Sequence, residues 1–132
     1  PQGALIADQM GLPFIYVRSK PKGHGMENMI EGKVTPNQKV VVVEDLVSTG
    51  GSSLKAAEDL RNAGFDVLGM VAIFSYGFDV ATKNFSDAGI KLVCLSHYDA
   101  LLPKAVERNY ITSETLESLS EWRKDPGSWM QK

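Results

Sequence analysis

The chain has 132 residues, 43% of them hydrophobic, a formal net charge of -2 and a single cysteine. That length suits one domain with a buried core, the balanced and dispersed charge argues against a nucleic-acid partner, and no apolar run approaches the length of a membrane span. Cys94, in the apolar run IKLVCL, reads as a core residue of a reducing compartment, and with no signal peptide visible a cytoplasmic setting is expected.

The chain opens at Pro1, within a few residues of a helical pattern, as though an earlier part of the domain precedes it. Ala4, Leu5, Ala7 and Met10 fall near one face of a short helix that Gly11 would cap. Leu12 to Val17 reads as a strand with too little alternation to be half exposed. From Arg18 to Lys39 two prolines, three glycines and several lysines predict a mobile loop, with a short β-ribbon around Met29 to Val34.

Residues Val40 to Ser53, VVVVEDLVSTGGSS, carry the strongest signal. Four β-branched residues suit a strand buried on both faces; two acidic residues follow, then small hydroxyl residues and glycines leading into a helix. Glycines let the backbone approach a ligand, and N–H groups at a helix start attract anions. Ser48, Thr49, Ser52 and Ser53 add hydroxyls. Glu44 and Asp45 would repel a bare phosphate cluster, so the ligand should also carry sugar hydroxyls or magnesium; a ribose phosphate fits. The pattern is neither the Gly-x-x-x-x-Gly-Lys-Ser/Thr loop nor Gly-x-Gly-x-x-Gly.

Further on, Leu54, Ala57 and Leu60 mark the inner face of a helix ended by Gly64. Val67 to Phe74 is a buried strand, Phe78 to Ala88 a helix, Ile90 to Leu95 a strand and Tyr98 to Arg108 a helix. Ser113 is expected to cap a last helix running through Trp122 and stopped at Asp125-Pro126-Gly127. Trp122 and Trp129 are expected to anchor that helix by packing, and Asp79, Asp99 and Asp125 to be ordinary turn or cap carboxylates. His97 is left outside the site as a capping or surface histidine. Strands alternating with helices predict an α/β fold with a parallel sheet covered on both faces, and ligands then bind beyond the carboxyl ends of its strands.

The strand, Glu-Asp, two residues and Ser-Thr-Gly-Gly-Ser resemble the phosphoribosyl pyrophosphate (PRPP) loop of the type I phosphoribosyltransferases. Arg18, Lys22, His24 and Gly25, in the text LPFIYVRSKPKGHG, are similar to the catalytic loop of the orotate phosphoribosyltransferases, and AIFSYGF extends the likeness. The resemblance implies a Rossmann-like parallel sheet flanked by helices, without the family's N-terminal elements, as one core domain over 1–132 with a flexible catalytic loop at 18–33. It implies transfer of ribose 5-phosphate from PRPP to orotate, giving orotidine 5'-monophosphate and pyrophosphate in pyrimidine synthesis, with Mg2+ as cofactor and no direct protein ligand for it.

Residue by residue, the resemblance gives Glu44 and Asp45 to the ribose hydroxyls and Leu46, Val47, Ser48, Thr49, Gly50, Gly51 and Ser52 to the 5'-phosphate. Ser48 also touches orotate. Arg18, Lys22 and His24 become the pyrophosphate-side catalytic cations, reaching into a neighbouring subunit, which implies a homodimer with shared sites. Lys20 stands one place away from a second lysine of some members. Tyr76 stands where some members carry an arginine for the orotate carboxylate, so orotate recognition is expected to differ there or rest on other elements; without the family's N-terminal region, which supplies a hood over the base, weakened orotate binding is expected. The alternatives are a phosphoribosyltransferase of other base specificity, a non-catalytic PRPP-binding regulator, and a structural fragment retaining only the sheet.

Overall fold

The computed structural model describes residues 1–19 and 29–128. Helix α1, Gln2–Met10, closes at Gly11, whose left-handed backbone (φ 64°, ψ 31°) returns its N–H to the carbonyls of Ala7 and Asp8. Of its expected inner face only Ala7 is buried; Leu5 and Met10 are exposed. The strand expected over Leu12 to Val17 shrinks to β1, Tyr16–Val17, because its sole partner among the described residues is the two-residue β2, Ile30–Glu31, with Tyr16 opposite Glu31. Arg18 extends this ribbon by donating its N–H to the Met29 carbonyl at 2.7 Å. The ribbon thus occupies both ends of the segment expected to be one loop over 18–33.

The main sheet holds β3 (Lys39–Val47), β4 (Asp66–Ser75) and β5 (Leu92–His97), all parallel in that order. Between them run α2 (Gly51–Asn62) and α3 (Asp79–Asp87); α4 (Tyr98–Glu107) and α5 (Ser113–Lys124) follow, then a short 3₁₀ turn at Pro126–Ser128. β3 outlasts its valine run, because Glu44, Leu46 and Val47 stay in register with Ala72, Phe74 and Ser75. The acidic pair therefore lies within the strand and not after it.

One face of the sheet carries the core. Met70 and Ala72 of β4, in register with Val42 and with Leu92 and Cys94, pack with Val47, Ala57 of α2, Phe85 of α3 and Ile90. Burial raises the Cys94 thiol pKa, so the group stays protonated as a packing residue. The expectation of two covered faces holds only for this one. On the other face α1 comes beside β3, with Gly3 close to Val43, while Ile73 and Val93 remain nearly half exposed and Leu95 is 85% exposed.

Helix α5 is capped one residue earlier than expected. Thr112, with extended backbone, accepts the Thr115 N–H on Oγ1 at 3.2 Å, a contact worth about 1 kcal/mol. The helix stops at Lys124, before Asp125-Pro126. Near its end Trp122 packs among Tyr76, Phe78 and Tyr98, with ring centroids 5.6, 5.9 and 5.6 Å away, which bears out its role as an anchor. Trp129 lies outside the described residues.

Tyr98 is buried in this cluster, and burial together with Tyr76 raises its phenol pKa while Arg123 opposes the shift. A raised folded pKa means the fold favours the neutral phenol, so this contribution is complete below the ordinary tyrosine value of about 10 and is lost as pH rises past it. Urea unfolding from about pH 8 to about pH 11 should show stability falling at the alkaline end, and Tyr98→Phe should flatten that fall while keeping the ring packing. An unchanged slope in the variant would remove Tyr98 as its source.

Candidate active site at the strand ends

Parallel pairing sets Val47, Ser75 and His97 side by side at the carboxyl ends of the three strands. Each strand then gives way to the segment leading into a helix. After Val47 the chain runs through Ser48 and Thr49, both exposed, to Gly50, which takes φ 82° and ψ -3° and starts α2. The first helical bond runs from the Leu54 N–H to the Gly50 carbonyl at 2.8 Å, so the N–H groups of Gly51, Ser52 and Ser53 precede it at the positive end of the helix.

Space dictates glycine at position 50 as firmly as backbone does. A Cβ there would stand 2.6 Å from Cε2 of Phe85. The Phe85 ring is thus a wall beneath the loop, and the Asn84 amide next to it donates Nδ2 to the Thr49 carbonyl at 3.0 Å.

Arg18, Glu44, Asp45, Gly51 and Ser52 line one cavity of about 1200 Å³, bounded also by α1 and β1. The structure therefore brings together the acidic pair, the start of α2 and one of the expected cations. Asp45 accepts the Leu46 N–H on Oδ1 at 2.7 Å. Arg18 forms an ion pair with Glu31, so the ribbon partner holds its guanidinium. Lys20, Lys22, His24 and Gly25 lie outside the described residues.

Other expected members of the phosphate loop contribute differently. The Val47 side chain is 1% exposed and belongs to the core; its carbonyl accepts the Tyr76 N–H at 3.1 Å. Ser53, 2% exposed, faces the packed side of α2 and drops out as a hydroxyl for the ligand. His97 occupies the position before α4, yet its side chain makes no cap hydrogen bond.

The turn after β4 is held by groups the sequence did not single out. Buried Ser75 accepts the Gly77 N–H on Oγ at 3.0 Å. Arg123 of α5 donates Nε to the Tyr76 carbonyl at 3.0 Å and Nη2 to the Gly77 carbonyl at 2.8 Å, and its Nη1 pairs with Asp99. Asp99 is thus an ion-pair partner and not a simple cap. Tyr76 stacks on Phe78 with ring planes 5° apart and centroids 5.3 Å apart, so the residue in the possible arginine position joins an aromatic cluster. No periodicity or motif could have signalled the contacts of Arg123, which join residues 24 to 47 positions apart.

With this geometry established, likeness to known proteins becomes specific. The chain is 62% identical over 129 residues to the orotate phosphoribosyltransferase of Cytophaga hutchinsonii, covering 98% of this chain and 62% of the relative. It is 59% identical over 128 residues to that of Porphyromonas gingivalis, covering 97% and 61%. The chain thus spans about three fifths of the length of these curated relatives. Among solved structures, Leishmania donovani UMP synthase superposes with a TM-score of 0.77 at 29% identity, covering 91% of this chain and 26% of that one. Orotate phosphoribosyltransferase from Aeropyrum pernix gives 0.68 at 34%, covering 76% and 56%. No family model matches the chain. The chain has the type I phosphoribosyltransferase fold, a parallel sheet flanked by helices. By sequence it is, over 98% of its length, a relative of the orotate phosphoribosyltransferases.

Gly50→Ala should cost about 2 to 4 kcal/mol in urea unfolding, from the left-handed backbone and the collision with Phe85 together. Gly50→Ala combined with Phe85→Leu should recover only the collision part, and full recovery would show that the backbone conformation is not a constraint.

Proposed function

We propose that the chain is the core of an orotate phosphoribosyltransferase, which moves ribose 5-phosphate from PRPP to orotate and releases pyrophosphate and orotidine 5'-monophosphate for pyrimidine nucleotide synthesis. The observation that carries this reading is 62% identity over 129 residues to a relative of that name. The cavity lined by Arg18, Glu44, Asp45, Gly51 and Ser52 supports it, because a sugar phosphate needs both carboxylates for hydroxyls and N–H groups for phosphate.

In the reaction a ring nitrogen of orotate attacks the anomeric carbon as pyrophosphate leaves, so no covalent enzyme nucleophile is needed. Positive charge grows on the ribose and negative charge on the departing group, and groups that meet those charges in the transition state accelerate the step. Glu44 and Asp45 lie on the ribose side. Ser48 to Ser52 hold the 5'-phosphate, and Ser48 also faces the base. Arg18 and Lys22 receive the leaving charge, and His24 donates a hydrogen bond or a proton to pyrophosphate.

Among the described residues no three histidine, cysteine, aspartate or glutamate side chains converge as metal ligands. Two carboxylates beside substrate oxygens suit a magnesium ion that keeps most of its water, and when bound it neutralises the leaving pyrophosphate. Arg18 serves the cavity of its own chain, while the segment carrying Lys22 and His24 completes the site of the neighbouring subunit in a homodimer. The setting is cytoplasmic; no helix among the described residues is long and apolar enough to cross a membrane.

The test is PRPP- and magnesium-dependent loss of orotate absorbance, with adenine and hypoxanthine in parallel. Orotate alone should be consumed; turnover of a purine instead would overturn the base assignment, and PRPP binding without any turnover would indicate a regulator. Lys22→Ala should lower kcat by about a hundredfold or more with a smaller change in KM for PRPP. Asp45→Asn should mainly raise that KM, and an unchanged kcat in the lysine variant would remove Lys22 from the chemistry.

A further inference from the structure

Helix α3 contributes two adjacent side chains to a single peptide link of the phosphate loop. Asn84, half-buried, donates Nδ2 to the Thr49 carbonyl at 3.0 Å, and Phe85 leaves no room for any side chain at Gly50. The Thr49–Gly50 peptide is trans, and in a trans peptide the carbonyl and the N–H point in opposite directions. Holding the Thr49 carbonyl toward α3 therefore turns the Gly50 N–H away from α3. Gly50 is left-handed and Gly51 begins a right-handed helix, and consecutive residues of opposite hand gather their N–H groups into one concave cradle for an anion.

We propose that Asn84 is a positioning residue for phosphate: its amide sets the orientation of the Thr49–Gly50 peptide and so aims the Gly50 N–H into the cradle formed with Gly51 and Ser52. This inference rests on the ribose phosphate site proposed above. Asn84 touches the loop's carbonyl and not the ligand, so its removal lets the peptide rotate and take up conformations that present the carbonyl oxygen to phosphate. That raises the cost of binding and leaves the reacting centre, on the other side of the ribose, as it was.

The experiment uses the full natural chain and ribose 5-phosphate as probe, followed by calorimetry, with steady-state kinetics beside it. Asn84→Ala should weaken ribose 5-phosphate about tenfold, the size of one hydrogen bond to a charged group, and raise KM for PRPP by a similar factor with kcat and the orotate KM unchanged. Asn84→Asp, equal in size but unable to donate, should weaken it further, because its carboxylate repels both the Thr49 carbonyl and the phosphate. Lys83→Ala, the exposed neighbour paired with Asp87, controls for general weakening of α3 and should leave affinity unchanged.

Unchanged ribose 5-phosphate affinity in Asn84→Ala, or an equal loss in Lys83→Ala, overturns the proposal. Absence of ribose 5-phosphate binding by the unaltered protein overturns it too. Binding of ribose 5-phosphate without turnover of orotate would refute the transferase reading alone, and the affinity ratio between the unaltered protein and Asn84→Ala would still decide the role of Asn84.

Discussion

The level ending of three parallel strands is the constraint from which the site follows. Val47 pairs with Ser75 and Ser75 with His97, so the loop into α2, the Tyr76–Gly77 turn and the start of α4 leave the sheet at one edge. The Tyr76 N–H reaches back to the Val47 carbonyl and ties the first two together. A slip of one residue between β3 and β4 would turn Val47 out of the core and Glu44 out of line with Ala72, because alternate side chains face opposite sides. Burial of Val47, Met70 and Ala72 against α2 and α3 penalises that slip.

Much of this was legible in the sequence where the determinants are local. A run of β-branched residues, a Gly-Gly pair and a helix start identify strand, loop and helix without reference to the rest of the chain, and the structure places β3 and α2 there. The alternating strands and helices further on were likewise legible, with ends displaced by one to a few residues. The acidic pair reads as following the strand because the β-branched run ends at Val43; pairing to β4 carries the strand on through Val47 regardless. Leu12 to Phe14 look like strand because they are apolar, but a strand needs a partner edge as well as a composition, and among the described residues only Tyr16 and Val17 of this stretch have one.

What could not be read was the support of the loop from behind. Asn84 sits in a polar stretch of α3 and reads as a solvated helix face; only the folded chain reveals that it meets Thr49 across 35 residues. Arg123 lies in the last turn of α5, where its charge suits the helix end, yet it holds two carbonyls of the turn after β4. Both side chains bond to backbone carbonyls, contacts that need no particular residue type at the far end. They therefore leave no mark in the sequence there. Gly50 is the exception, since the closeness of Phe85 restricts what can stand opposite it.

The two sides of the site differ in how firmly they are set. The loop between β3 and α2 rests on core packing, a helix start and an amide from α3, so a phosphate bound there as proposed would meet donors already in position, with little ordering cost. Arg18, by contrast, is held by Glu31 in a pair whose side chains are 34% and 54% exposed. Pairs of that exposure contribute about 0 to 1 kcal/mol, little enough for a multiply charged anion to compete for the guanidinium. For the transfer proposed above, a firmly held loop on the side of the group that stays on the product and a weakly held cation on the side of the group that leaves would let the first orient the ribose while contacts to the second form and break within each turnover.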